Sequence, residues 1–422
     1  MRKRQIVGGL IVIIGIALGA YRFWPKPPPS YSIEELTVEQ PLEHNRTDSE
    51  TFSQHVYILT PRDVTSDAAV LFVLGGESNA TERELVQLYK SYGERQDVIF
   101  IYPEHRGYGE SLSKDADQSV PTYVTVDQAL ADYHAVVQEL KQTYTGTWMA
   151  AGYSYSGGLV IDFAARYPND VAAILSSSGV VDWPFTMDAY DAKVRVIFGD
   201  AAYQRIVTHV NNLEPETLFD RNWQEREFLI AFVHGLSQYV SYKSYIPVFN
   251  AATRLPTPTL LKLLHFLDRT IAEEEAWHYA ISNSKTFLTR EEALTMKYTW
   301  RVWRYQQCNE VGIFEVSAGP DGIFTRSEDD FIAECTALFG DDQPRSAREA
   351  AWSPRAQLDN LAVPLIYVAG ELDPWEGLGV EKELVTNGRY FWVPEGRHCQ
   401  DRVVPELGAE VMETLLDFAE NK

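Results

Sequence analysis

Cysteine is scarce in this 422-residue chain, which has only Cys308, Cys335 and Cys399. Their spacing lacks the paired Cys or Cys/His pattern of a metal site, so no metal is expected. Basic side chains are outnumbered, 37 Lys and Arg against 60 Asp and Glu, giving a formal net charge of −23. That acidity runs along the whole chain instead of gathering in a tail. It argues against nucleic acid and anionic lipid as partners and favours neutral or basic substrates, while also serving solubility. There is no internal repeat, and no low-complexity segment apart from Pro25-Lys26-Pro27-Pro28-Pro29. Long apolar runs are missing too, with one exception near the start.

That exception is residues 6–21, uncharged and mostly apolar, preceded by Arg2-Lys3-Arg4. A basic n-region followed by an h-region reads as an export segment. Ala17-Leu18-Gly19 offers small residues for cleavage, whereas Arg22 and Trp24 suit an interfacial anchor, so removal and retention both stand. The run is slightly short of the ~20 residues that span a bilayer. The expected location is periplasmic or extracellular, with membrane contact only through this segment if it is retained. The prolines that follow form a stiff spacer. In an oxidising compartment one cysteine pair can close, leaving one thiol. Asn45-Arg46-Thr47 and Asn79-Ala80-Thr81 match the glycosylation acceptor pattern.

After the spacer, residues 51–59 alternate apolar and polar, and 69–74 and 98–102 are apolar runs of strand length. Thr81 with Glu84, and Thr125 with Gln128, are placed to start helices between them. Strand and helix in alternation predict an α/β fold with a mostly parallel central sheet. From about residue 181 the alternation stops, and 222–239, 259–281 and 290–307 read as amphipathic helices. The expected organisation is a leader and spacer over 1–30, a first core part over 31–180, a helical cap over 181–349 and a second core part over 350–422.

Gly152-Tyr153-Ser154-Tyr155-Ser156-Gly157 lies between an apolar strand and a helix start, the form a nucleophile elbow takes in sequence. Small neighbours are needed where the chain doubles back, and they make Ser154 the candidate nucleophile. In the fold that uses this elbow, the acid and base follow in the order Asp, His. Asp373 stands just past the strand-like run 365–368, and His398 stands in the loop after another, 389–393. Order and placement together select Ser154, Asp373 and His398 as an α/β-hydrolase triad needing no cofactor. An esterase on the same scaffold is the competing enzyme reading, since fold and triad do not set the acyl group attacked. A noncatalytic binding relative would be expected to lack a triad member.

Further segments resemble one family, the serine exopeptidases comprising lysosomal prolyl carboxypeptidase and dipeptidyl peptidase II. They are Gln40-Pro41-Leu42-Glu43-His44, Gly75-Gly76-Glu77, Glu104-His105-Arg106-Gly107-Tyr108-Gly109-Glu110-Ser111, Trp303-Arg304-Tyr305-Gln306-Gln307-Cys308-Asn309-Glu310, Asp373-Pro374-Trp375 and His398-Cys399-Gln400-Asp401. The resemblance implies cleavage of peptides beside a terminal Pro or small residue. The acidic chain tips the reading toward dipeptidyl release over removal of a residue following proline. It implies an oxyanion hole from the Tyr155 amide and the Gly75-Gly76 turn, because charge develops on the carbonyl oxygen. Trp375 and Trp303 are implied as walls for a proline ring, and Glu310 reads either as an anchor for an α-amino group or as a buried structural carboxylate paired with Arg106 or Arg304. Glu104, His105 and Arg106 read as braces beneath the site. A Cys308–Cys335 disulfide is implied as well. Ser78 departs from the pattern, which has glycine after the glutamate, so the shape of that loop is open.

Overall fold

The computed structural model describes residues 30–113, 121–183, 186–217, 220–271, 296–317, 319, 321–340 and 352–420. The leader and proline spacer lie outside the described residues, as do parts of two expected cap helices. Two long strands, β1 (Tyr31–Pro41) and β2 (Thr51–Pro61), pair antiparallel along their whole length. β1 is an edge strand that carries Glu34, Glu35 and Glu39, charges that discourage pairing with another chain.

Alternation follows: β3 (Ala69–Val73), α1 (Glu82–Ser91), β4 (Val98–Pro103), α2 (Val126–Leu140), β5 (Trp148–Tyr153), α3 (Tyr155–Arg166) and β6 (Ala173–Ser177). The expected helix starts are present, with Thr81 Oγ1 accepting from the Glu84 amide at 3.2 Å and Thr125 Oγ1 from the Gln128 amide at 3.3 Å. Next come the helices α4 (Asp188–Phe198), α5 (Asp200–Asn211), α6 (Arg221–Gln238), α7 (Ile246–Ala252), α8 (Thr257–Ile271), α9 (Met296–Gln306) and α10 (Glu328–Phe339). The chain then returns to the sheet through β7 (Leu365–Gly370) and β8 (Gly388–Val393), and α11 (Pro405–Glu420) closes it.

The eight strands form one sheet in the order β1-β2-β4-β3-β5-β6-β7-β8, parallel from β4 onward. This is an α/β-hydrolase fold with an inserted helical region. β4, β5 and β7 are buried at every position, as expected of parallel strands covered on both faces. Side chains alternate between the faces with period two. Val70 and Phe72 join α2, α3 and cap residues in one apolar cluster, and Leu71 and Val73 join α1 and α11 in another. Among the described residues no helix is long and apolar enough to cross a membrane.

Candidate active site

Ser154 is the hinge between β5 and α3, with φ 55° and ψ −121°. This conformation costs a residue with a Cβ about 1–3 kcal/mol and persists only where the surroundings enforce it. Here the Ser154 amide donates to the Ser177 carbonyl at 3.1 Å, and the Ser154 carbonyl accepts from the Gly157 amide at 2.9 Å. The turn is so tight that a Cβ on Gly152 would stand 1.9 Å from the Ser156 carbonyl oxygen. Glycine is therefore required at 152, and Ser154 is left half-exposed at the mouth of the elbow.

Asp373 and His398 follow the ends of β7 and β8, so both reach the same edge of the sheet as Ser154. His398 Nδ1 lies 2.9 Å from Asp373 Oδ2 and 3.0 Å from Oδ1. A carboxylate accepts only, which fixes the proton on Nδ1 and leaves Nε2 free to take one. The Trp375 amide donates to Asp373 Oδ1 at 2.9 Å and fixes the carboxylate in turn. Burial works against a charged imidazole, but the Asp373 carboxylate outweighs it and holds His398 above the ordinary histidine range. The His398 loop is also fastened to the cap. Its amide donates to the Gln238 carbonyl at 3.0 Å, and Arg397 Nη1 donates to the Ser237 carbonyl at 2.5 Å.

Ser154 and His398 border one cavity of about 330 Å³. Gly76 and Tyr155 line it too. Tyr155 is the first residue of α3, so its amide has no partner within the helix and is available to an oxyanion. Gly75 is not among the lining residues. It packs against β4, where an added Cβ would meet the His105 amide nitrogen at 2.6 Å, and its carbonyl accepts from Tyr133 at 2.9 Å. The loop therefore presents Gly76, Glu77 and the divergent Ser78 to the cavity, not Gly75.

Trp303 and Trp375 both line the cavity; the first sets its edge on Tyr155 and the second on Tyr190. Glu310 differs from expectation. Its Oε2 accepts from the Val126 amide at 2.8 Å, where it serves the start of α2, and it is not among the lining residues. It pairs with neither Arg106 nor Arg304, because Arg106 is held by Asp132 and Arg304 by Glu334. The carboxylates that do reach the cavity are Glu77, Glu84 and Glu315. Burial pushes Glu315 up to about 7 and Glu77 upward as well. Sequence reasoning passed over Glu315, although a lone charge within Ile313-Phe314-Glu315-Val316 is the kind of mismatch that marks a site.

Glu104 and Arg106 brace the floor. Glu104 accepts from the Ala80, Glu110 and Ser111 amides and from Ser111 Oγ, at 2.8 to 2.9 Å. His105, wholly buried, meets Tyr108 and Tyr133 edge to face and lies tilted against Tyr155. Cys308 and Cys335 form a disulfide joining the end of α9 to α10, and Cys399 is a buried free thiol. Among the described residues no group of three His, Cys, Asp or Glu is arranged to hold a metal ion.

The profile of the family described as serine carboxypeptidase S28 matches residues 40–212 and 267–413. The chain is 24% identical to the lysosomal Pro-X carboxypeptidase of Bos taurus, over 90% of this chain and 85% of that protein. It is 24% identical to the thymus-specific serine protease of Mus musculus, over 86% of this chain and 81% of that one. Among solved structures it is similar to proline iminopeptidase of Mycobacterium smegmatis, with TM-score 0.46 and 15% identity over 92% of this chain and 99% of the other. The matched segments include the elbow, the aspartate loop and the histidine loop, and they span most of the chain on both sides of the cap, so the protein is a serine peptidase belonging to the serine carboxypeptidase S28 family.

Proposed function

We propose that the protein is an exopeptidase that releases dipeptides from the amino end of peptides, cutting after proline or a small residue. Ser154 Oγ attacks the scissile carbonyl carbon while His398 Nε2 takes its proton, and the Tyr155 amide and the Gly76-Glu77 turn receive the oxyanion. Collapse breaks the C–N bond, the leaving amine takes the proton from His398, and water then frees the acyl group from Ser154 by the same route. Trp303 and Trp375 hold a proline ring between flat apolar faces that demand no hydrogen bond.

The observation that carries the dipeptidyl mode is the balance of fixed charge around the cavity. Among the described residues Glu77, Glu84 and Glu315 line it against one guanidinium, Arg402. Arg402 is already committed, 2.5 Å from Glu84 and stacked 4.6 Å over the Tyr153 ring. A Pro-X carboxypeptidase, the activity in the name of the bovine relative, must accept a free α-carboxylate, which would enter this acidic surround and, among the described residues, meet no uncommitted guanidinium or ammonium. An α-ammonium meets the opposite situation. The Cys308–Cys335 disulfide and the leader-like start of the chain support work in an exported compartment, and the lysosomal relatives agree with that placement.

Initial rates on Lys-Pro and Lys-Ala arylamides against an N-blocked Pro-Phe peptide test the mode. Release of arylamine with the blocked peptide intact is expected. Release of phenylalanine with the arylamides untouched would reverse the assignment, and turnover of nitrophenyl esters alone would make the enzyme an esterase.

A further inference from the structure

The cap side of the cavity carries two polar groups that the triad chemistry does not use. Glu315 lines the cavity, and among the described residues its carboxylate makes no ion pair or hydrogen bond. Its electrostatic neighbours are Arg304 on α9, Glu227 on α6, and Arg326 and Glu334 beside and on α10. Those neighbours are largely spent on each other: Arg304 Nε is 3.1 Å from Glu334, Arg326 also bonds Glu334, and Arg326 Nη1 is 3.7 Å from Glu227. The second group is His234 on α6, which also lines the cavity, is 9% exposed and leaves Nε2 without a hydrogen-bond partner. Its ring lies 5.0 Å from that of Tyr190, the residue whose hydroxyl also senses the Glu315 charge. Burial lowers His234 to about 3, so it is a neutral imidazole.

A carboxylate that faces a cavity with no hydrogen bond of its own gains from an entering cation, and an unpartnered imidazole nitrogen lining the same cavity is a second acceptor. The other cavity carboxylates are placed for different work. Glu84 holds Arg402 and accepts from the Tyr102 hydroxyl at 3.1 Å. Glu77 belongs to the turn beside the elbow that serves the oxyanion. Glu315 lines the cavity from the stretch that follows α9, on the cap side.

We propose that Glu315, with His234 Nε2 as second acceptor, receives the α-ammonium of the substrate and thereby sets the cut two residues from the amino end. The inference rests on the dipeptidyl reading above. It makes amine recognition depend on pH: below about 7 Glu315 is protonated and the site loses its charge, with Arg304 and Arg326 opposing that protonation and Glu227 and Glu334 favouring it.

Glu315→Gln, assayed on Lys-Pro arylamide and labelled with a fluorophosphonate, forms the test. Labelling reports an intact triad without needing an amine. Glu315→Gln is expected to keep its labelling rate within about twofold and to raise KM for the arylamide by about 30-fold or more, the loss that follows when one partner of a buried charge pair is removed. An unchanged KM in Glu315→Gln overturns the assignment while dipeptidyl release stands. If the wild type trims only the carboxyl end, the dipeptidyl reading itself has failed. Should Glu315→Gln not fold, the wild type still decides. Inhibition by Ala-Pro must weaken as pH falls through about 7 while that by N-acetyl-Ala-Pro does not, and parallel profiles would refute the proposal.

Discussion

Arg106 in the sheet region and Arg326 in the cap are both wholly buried guanidiniums, yet they are held in different ways. All five Arg106 donors are used: Nε and Nη2 on Asp132 at 2.6 and 2.5 Å, and the rest on the carbonyls of Pro41, Leu42 and Tyr123. Arg326 leaves Nε and Nη1 without hydrogen bonds and leans instead on the Phe331 ring, 3.8 Å away, and on ion pairs with Glu227 and Glu334. Nearby, Arg226 Nε and Glu227 Oε1 also lack hydrogen bonds and stand 3.8 Å apart. The frame under the triad is fixed in geometry down to each donor. The cap is held by charge balance, which tolerates rearrangement and suits a region that selects substrates.

The sharpest break between the two regions lies in the chemistry. Ser154→Ala should abolish fluorophosphonate labelling and lower kcat on the order of 10⁶-fold with the fold intact, whereas cap substitutions should act mainly on KM. Asp373→Asn comes next, at about 10⁴-fold in kcat with KM little changed, because His398 would rest in the wrong tautomer. The pH profile should follow the same pair. Protonated His398 cannot act as a base, and Asp373 raises its pKa, so the log rate of fluorophosphonate labelling, which needs no amine, should fall with unit slope as pH drops through that raised value. A profile flat to acid would contradict the role of the pair.

Stability separates the regions further. Asp132→Ala strands the Arg106 charge and should cost about 3–5 kcal/mol in urea unfolding. Arg326→Met combined with Glu227→Leu, which removes both partners of one pair while Arg304 stays on Glu334, should cost less than half of that, since apolar replacement of a whole buried ion pair is often close to neutral. Equal losses would mean that the cap is as tightly determined as the frame.

Much of the frame was legible in the sequence because each signal was local. Thr81 and Thr125 stand where helices begin, apolar runs of strand length became β3 and β4, and small residues flank Ser154 where the chain doubles back. β1 was missed because its charged, mostly exposed face hides the alternation that only Val38 and Gln40 bury. α4, α5, α7 and α10 were missed, although α4 and α5 carry the signal, burying Tyr190, Val194 and Phe198 on one and Tyr203, Ile206 and Val210 on the other at helical spacing. Glu310 was left between a substrate anchor and a structural carboxylate, and nothing local to Cys308-Asn309-Glu310 reveals that its carboxylate meets the Val126 amide from a distant part of the chain. Glu315 and His234 were passed over for the same reason, since their missing partners show only once α6 and the 313–316 stretch face the elbow.

The fastening of the histidine loop to the last two residues of α6 works as an interlock. Two of the loop's ties therefore run through one helix end, and the placement of the imidazole is coupled to the seating of that helix over the elbow.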